Sequence, residues 1–565
     1  MQLPINLGTW ALAFLPLAFL LFMMIARRWG AAQAGPVAWI VGALIAAVIF
    51  HMSLRGIALQ SVKGTWSALT ILYVVWPAIL IYEVTREADA FEPFRRGITG
   101  LLPHPLLQVM AFGWAFASFL QGITGFGVPI AVCAPLLVGI GVRPLYAVVV
   151  PLVGHAWNNT FGTLAVAWLG LKQVTDMPAA LASTTALYAA SFIWILNLLG
   201  GLLVCWIYGR MQGIREGLPA VIPISLAHGG LTLVLSQWND VLNGFIAGTV
   251  GFILIFALGR LPRYRRPSHV TNSRIFQEHS TGSAGATPAE TPDGSRDTAP
   301  KETPAGSAPE PVPAAAAGTS TSAAPAMSLN KAFIPYYALL IITFGILLIP
   351  PVKNALGSVT FGLNFPSLET GFGFVTEATT SQVSIFTHAG TFLFASAFVG
   401  YVAYARMGYI GNGGLGRVWS NTVEKAIAST IAVVALVAMA AVMQGAGQAQ
   451  VLAKGTALAT GDFYAFLAPF VGLLGAFMTS SNLASNLLFG NFQASTAAAA
   501  NLDKAAILGA QTAGGAVGNT VAPGNVLLGT TTAGILGREG DVLRITFPLA
   551  LMICVVIGAV VLIVA

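Results

Sequence analysis

Apolar residues run along this chain in blocks near the roughly 20-residue length that crosses a bilayer as a helix. In the first half they fall at Thr9–Ala26, Pro36–Ser53, Trp66–Val84, Leu181–Tyr208, Leu218–Gln237 and Val241–Leu258. In the second they fall at Ala332–Pro350, Val383–Tyr404, Glu424–Met443, Phe463–Met478 and Leu543–Val564. Two regions depart from this pattern. Leu106 to Val142 is apolar but interrupted by Gln121, the segment GITGFG (122–127) and Pro129 and Pro135, so a continuous helix there is not expected. Thr479 to Gln493, TSSNLASNLLFGNFQ, sets small and amide side chains inside apolar sequence. Hydrocarbon cannot satisfy these groups, and each one left unpaired costs several kcal/mol, so both regions must face protein, water or a polar ligand. Broken helices or re-entrant hairpins fit them.

The two regions are related by position. Shifting the numbering by about 360 carries Gly122–Gly127 onto Asn482–Leu487, and Asn159-Thr160 onto Asn519-Thr520. In each half a small-residue breaker is followed roughly 37 positions later by an Asn-Thr pair, the mark of a duplicated transporter. The expected architecture is an all-α polytopic membrane protein of about 12–14 transmembrane helices, with two broken hairpins in an inverted repeat. The repeats are residues 1–267 and 328–565. Between them, 268–327 is rich in Pro, Ala, Gly, Ser and Thr and reads as a disordered linker, because it cannot bury enough apolar area to offset its ordering entropy.

Composition agrees with this class: 56% of the residues are hydrophobic and 8% charged. The net charge of +7 does not point to nucleic acid, since arginines such as Arg27, Arg28, Arg95, Arg96, Arg210 and Arg215 sit at the ends of apolar blocks. By the positive-inside rule they put the linker in the cytoplasm and both termini outside. The three cysteines form no CxxC and no ligand-like spacing with histidine, so neither a disulfide nor a metal is expected. HExxH is missing, no GxSxG stands at a strand-to-helix turn, and no acid is paired with a base. Catalysis is not expected.

Ionisable groups inside spans are functional suspects, and the shortlist for proton coupling is His155, His388 and Asp240. His155 shares a helical face with Asn159, four residues on. Each has a plain alternative: Asp240 marks a turn, and the histidines are hydrogen-bonded helix residues. No Lys or Arg falls in the cores of the broken segments. Attraction for an anion would come from half-helix N-termini, each equivalent to about half a positive charge. Such a neutral site suits a small monoanion, unless a bound sodium ion supplies a cation.

Five segments carry a resemblance to the lactate permease family: Ser118–Val132, His155–Trp168, Glu369–Phe392, Thr479–Gln493 and Gly514–Arg544. The chain resembles that family nearly end to end apart from the linker. The resemblance implies an elevator-type transporter of the bacterial inner membrane that imports L-lactate, and often D-lactate and glycolate, by proton symport, with no cofactor beyond the coupling proton. The substrate contacts expected from the two broken motifs are Gln121, Thr124, Gly125, Asn158, Asn159 and Thr160 from one copy. Ser481, Asn482, Ser485, Asn486, Asn519 and Thr520 come from the other. A sodium-coupled carrier of dicarboxylates on a similar fold is the alternative, an intramembrane enzyme a remote one. The preferred acid, the proton stoichiometry and the oligomeric state are not legible.

Overall fold

A computed structural model describes residues 3, 5–27, 29–125, 127–266, 268, 270, 273–276 and 327–565. The first half contains α1 (Leu7–Ala26), α2 (Ala31–Val48), α3 (Leu54–Glu87), α4 (Phe91–Leu101), α5 (Pro105–Ile123), α6 (Val128–Gly139), α7 (Pro144–Gly154), α8 (Gly162–Val174), α9 (Ala179–Trp238) and α10 (Asp240–Gly259). The second contains α11 (Ile334–Leu347), α12 (Pro350–Gly357), α13 (Ala389–Arg406), α14 (Gly414–Gly445), α15 (Gln448–Thr460), α16 (Tyr464–Thr479), α17 (Asn482–Ala499), α18 (Lys504–Gly518), α19 (Pro523–Thr532) and α20 (Glu539–Val564). Strands β1 (Thr360–Phe365) and β4 (Thr379–Ser384) form one antiparallel pair, and β2 (Leu368–Glu369) and β3 (Val375–Thr376) another.

Among the described residues eight helices are long and apolar enough to cross a membrane, or nine if α11 and α12, bent by 86°, count as one span. That is fewer than the 12–14 expected, in part because one apolar run is broken and two others are joined in one bent helix. Residues 145–169, apolar throughout much of their length, form not one span but α7, a 3-10 turn (Ala156–Asn159) and α8. Conversely, α9 has 60 residues, or about 90 Å of helix against roughly 30 Å of hydrocarbon. It changes direction at Gly209–Arg210, where Arg210 takes φ 54°, so it joins two of the expected blocks. The polar segment with Glu369 and Glu377 folds as these two strand pairs. The linker boundary also moves: Arg143 N–H donates to Ile275 O (2.6 Å) and Tyr208 OH to Ser268 Oγ (3.1 Å), so residues near 268 and 275 belong to the folded body. Residues 277–326 of the expected linker lie outside the described residues.

Small residues set the closest approaches. A Cβ at Gly64 of α3 would stand 2.5 Å from Ala438 Cα of α14, so only glycine permits this crossing. Glu83 and Glu87 of α3 then tie the two helices through Lys425 (2.5 Å) and Arg417 (2.7 Å). Elsewhere α16 lies against α18 through Gly514, whose Cβ would stand 1.9 Å from Pro469 O. Outside the spans, α4 is amphipathic, and the Arg95 guanidinium holds the Glu92 carboxyl below its usual range.

Candidate functional site

Four helix interruptions lie in the interior. Between α5 and α6 the chain passes through Gly125 (φ 59°) and Gly127 (φ 80°), a left-handed backbone that glycine adopts without strain. Between α16 and α17, Ser480 is left-handed (φ 55°, ψ 28°) and Ser481 is extended; Ala484 N–H donates to Ser481 Oγ at 3.3 Å and so caps α17. The interruption is thus confined to two serines, and Asn482 to Asn486 form the first turns of a helix instead of a broken stretch. Between α7 and α8 come His155, the 3-10 turn and Thr160-Phe161; α8 then opens with three left-handed residues, Thr163, Leu164 and Ala165. Between α18 and α19 lie Asn519 to Ala522, followed by Pro523, which suits a first helical position.

These interruptions converge on one cavity of about 40 Å³. On a measure where one water needs about 10–15 Å³, that is room for a few waters or a ligand of a few atoms. Its walls come from both halves: Gln121, His155, Asn159 and Thr163 from the first, and Ser480, Ser481, Asn482, Asn519 and Asn525 from the second. Gly127 caps α6, Ser481 caps α17, and Asn525 is the third residue of α19, so three helix N-termini open toward it. First-turn N–H groups have no intrahelical acceptor, and the aligned peptide dipoles make this end positive. No Lys, Arg, Asp or Glu lines the cavity among the described residues.

The wall is held by specific bonds. Gln121 Nε2 donates to Asn159 Oδ1 (2.8 Å) and Asn159 Nδ2 to Ala156 O (2.9 Å). Across the cavity Asn525 Nδ2 donates to Asn519 Oδ1 (3.1 Å), and Gly524 N–H to Ser480 Oγ (2.9 Å). His155 Nδ1 lies 2.6 Å from Pro151 O. A carbonyl only accepts, so Nδ1 carries the proton and Nε2 is the atom left to take another. Gln121 Oε1 and Asn482 Oδ1 are buried acceptors with no partner among the described residues.

Of the twelve expected contacts, five line the cavity: Gln121, Asn159, Ser481, Asn482 and Asn519. Thr160, Ser485 and Asn486 stand one tier behind. Asn486 Nδ2 donates to Thr512 Oγ1 (3.0 Å) and Thr512 Oγ1 to Thr160 Oγ1 (3.3 Å), which joins the two halves. Ser485 Oγ donates to Gly472 O (2.7 Å). Thr124 and Thr520 bond to their own helical turns, at Leu120 O and Val517 O. Asn158 turns away, donating to Ser118 O and Gly244 O, and Gly125 packs on Thr163. Of the proton-coupling shortlist only His155 lines the cavity. Asp240 instead pairs with Lys172 (2.5 Å) and accepts from Trp168 Nε1 (2.7 Å), while His388 caps α13, accepting from Gly390 N–H.

Thr163, Ser480, Asn525 and Thr512 were missed from sequence. Asn525 carried a signal, since it stands two residues after a helix-starting proline. Thr163 carried none, because a threonine is not expected in the left-handed region.

The family described as L-lactate permease matches residues 10–565. The L-lactate permease of Bacillus subtilis (strain 168) is 24% identical, with 96% of this chain and 94% of that protein covered. Glycolate permease GlcA of Escherichia coli (strain K12) is 26% identical over 99% of this chain and 96% of its own length. The L-lactate permease of the same strain is 25% identical, covering 97% and 94%. Matched over nearly its whole length, this chain belongs to the L-lactate permease family.

Proposed function

We propose that this protein imports L-lactate, and with it D-lactate and glycolate, by proton symport across the bacterial inner membrane. The observation that supports the reading best is the convergence of three helix N-termini on a small cavity lined by uncharged amides and hydroxyls. The N-termini hold a carboxylate without a fixed cation, and a dianion finds no second positive group. The amides take the 2-hydroxyl, and His155 Nε2 takes the coupling proton. Paired interruptions in the two halves support an inverted repeat, with the site-bearing helices moving as an elevator. Both termini are external in this reading.

One proton carried with one lactate moves no net charge. Uptake of labelled lactate into proteoliposomes should follow the pH gradient and respond little to voltage, whereas a net charge would gain about 2.3 kcal/mol per 100 mV. Uptake driven by voltage alone would remove the symport reading. His155→Gln should abolish gradient-driven uptake and leave lactate/lactate exchange within about threefold, under 1 kcal/mol; loss of both places His155 in substrate binding. The unpartnered oxygens of Gln121 and Asn482 keep a second reading, sodium coupling, because amide oxygens are sodium-type ligands. Uptake that needs sodium decides for it.

A further inference from the structure

A second chamber, about 470 Å³, adjoins the first. Thr70 and Val74 of α3 form one wall, Ser384 of β4 and His388 another, and Val166, Leu169 and Lys172 of α8 the third. Val166 also lines the inner cavity, so one side chain belongs to both. It directly follows the left-handed turn Thr163–Ala165, and Lys172 stands six residues further, about 9 Å along the same helix.

Among the described residues lining the two chambers, Lys172 is the one fixed cation. Its ammonium pairs with Asp240 Oδ2, which Trp168 Nε1 holds in place. Lys172 and Asp240 are 27% and 26% exposed, so water reaches the pair and its attraction is modest. An ammonium has three donors, and one is engaged by Asp240. The others can meet a second carboxylate arriving through the chamber.

We propose that this chamber is an outer station on the substrate's path, in which Lys172 receives the carboxylate of a small monocarboxylate before it passes Val166 into the neutral inner cavity. The division of labour is physical. Paired with Asp240, the ammonium exerts little net field at a distance and acts at contact range, offering its remaining donors to a carboxylate, whereas the inner cavity offers neutral groups alone. Asp240 keeps Lys172 in position and moderates its charge. The proposal rests on the transport reading for the identity of the anion, but not for the chamber's preference.

The test uses the purified full-length chain carrying Leu169→Cys, whose thiol would line the chamber. Cys133, Cys205 and Cys554 are buried and give little background. An anionic methanethiosulfonate should modify this thiol roughly tenfold faster than a cationic one of similar size. Lys172→Gln should abolish that preference, Lys172→Arg should keep it, and Asp240→Asn should increase it. Millimolar lactate should slow the reaction. In proteoliposomes Lys172→Gln should raise KM about tenfold, equivalent to 1.4 kcal/mol, with kcat within twofold. A preference indifferent to Lys172, a thiol that does not react, or a loss of kcat at unchanged KM overturns the proposal. A preference that follows Lys172 without protection by lactate supports the chamber and counts against lactate as the transported acid.

Discussion

The interruptions in the two halves meet at one cavity but are built differently. In the second half, Ser480 Oγ accepts from Gly524 N–H of α19 and Ser481 Oγ from Ala484 N–H of α17, so the single left-handed residue, at 480, is offset by a hydrogen bond of its own. In the first half, Gly125 and Gly127 turn freely, while Thr163, Leu164 and Ala165 hold left-handed angles with no glycine among them. Each such residue costs about 1–2 kcal/mol. The two elements interlock: a Cβ at Gly125 would stand 2.0 Å from Thr163 Oγ1. The second half therefore supplies a capped, relaxed wall and the first a strained one beside the neck at Val166. Strain of this kind persists where surrounding packing enforces it, commonly at sites that bind or switch.

The difference can be broken first at Gly125. Gly125→Ala combines a positive φ with the overlap on Thr163, and uptake should fall more than tenfold, since about 1–2 kcal/mol comes from φ alone. Ser480→Gly, at the matching left-handed position, should change uptake less than about twofold, because loss of the hydroxyl's bond is offset by relief of the left-handed backbone. Equal losses in the two variants would mean the halves are equivalent. Next in size, Asn159→Ala and Asn519→Ala should each reduce uptake about tenfold or more while folded protein persists in the membrane, as hydrogen bonds to a charged ligand contribute about 1.5–3 kcal/mol. Normal uptake by both would leave these amides as packing groups.

The smallest effect sharpens the contrast most directly. Ala165→Gly should relieve strain and raise stability by roughly 0.5–1 kcal/mol. Ala494→Gly, in the regular interior of α17, should lower it by a similar amount. Thermal unfolding of both variants in one detergent checks the opposite signs, and a destabilised Ala165→Gly would mean that the turn is not strained.

Part of the candidate site was legible, five of the twelve expected contacts lining the cavity. Glycines and prolines inside apolar sequence marked the first interruption, and the Asn-Thr pairs marked Asn159 and Asn519, because amides in hydrocarbon need partners. The offset between halves also pointed to paired interruptions, although the structure places them at 124–127 and 480–481, about five residues closer than the sequence match. Asp240 was not legible as a pairing group. Its partner Lys172 is 68 residues away, and only folding brings them together. Thr124 and Thr520 looked like ligands because hydroxyls are polar, yet each bonds to its own helix, a choice set by rotamer and neighbours.

The chain by itself determined its solvent and its class. Long apolar blocks require lipid, few charges exclude a soluble domain, and polar clusters inside apolar runs require broken helices around a protected space. Only the tertiary structure decided which of those polar groups face that space. It also decided where a left-handed turn is forced on Thr163, Leu164 and Ala165, and that Lys172 is the one fixed cation among the described residues lining the two chambers. Local sequence sets what a segment must avoid, while long-range packing selects, among the groups that need partners, those whose partners are left open.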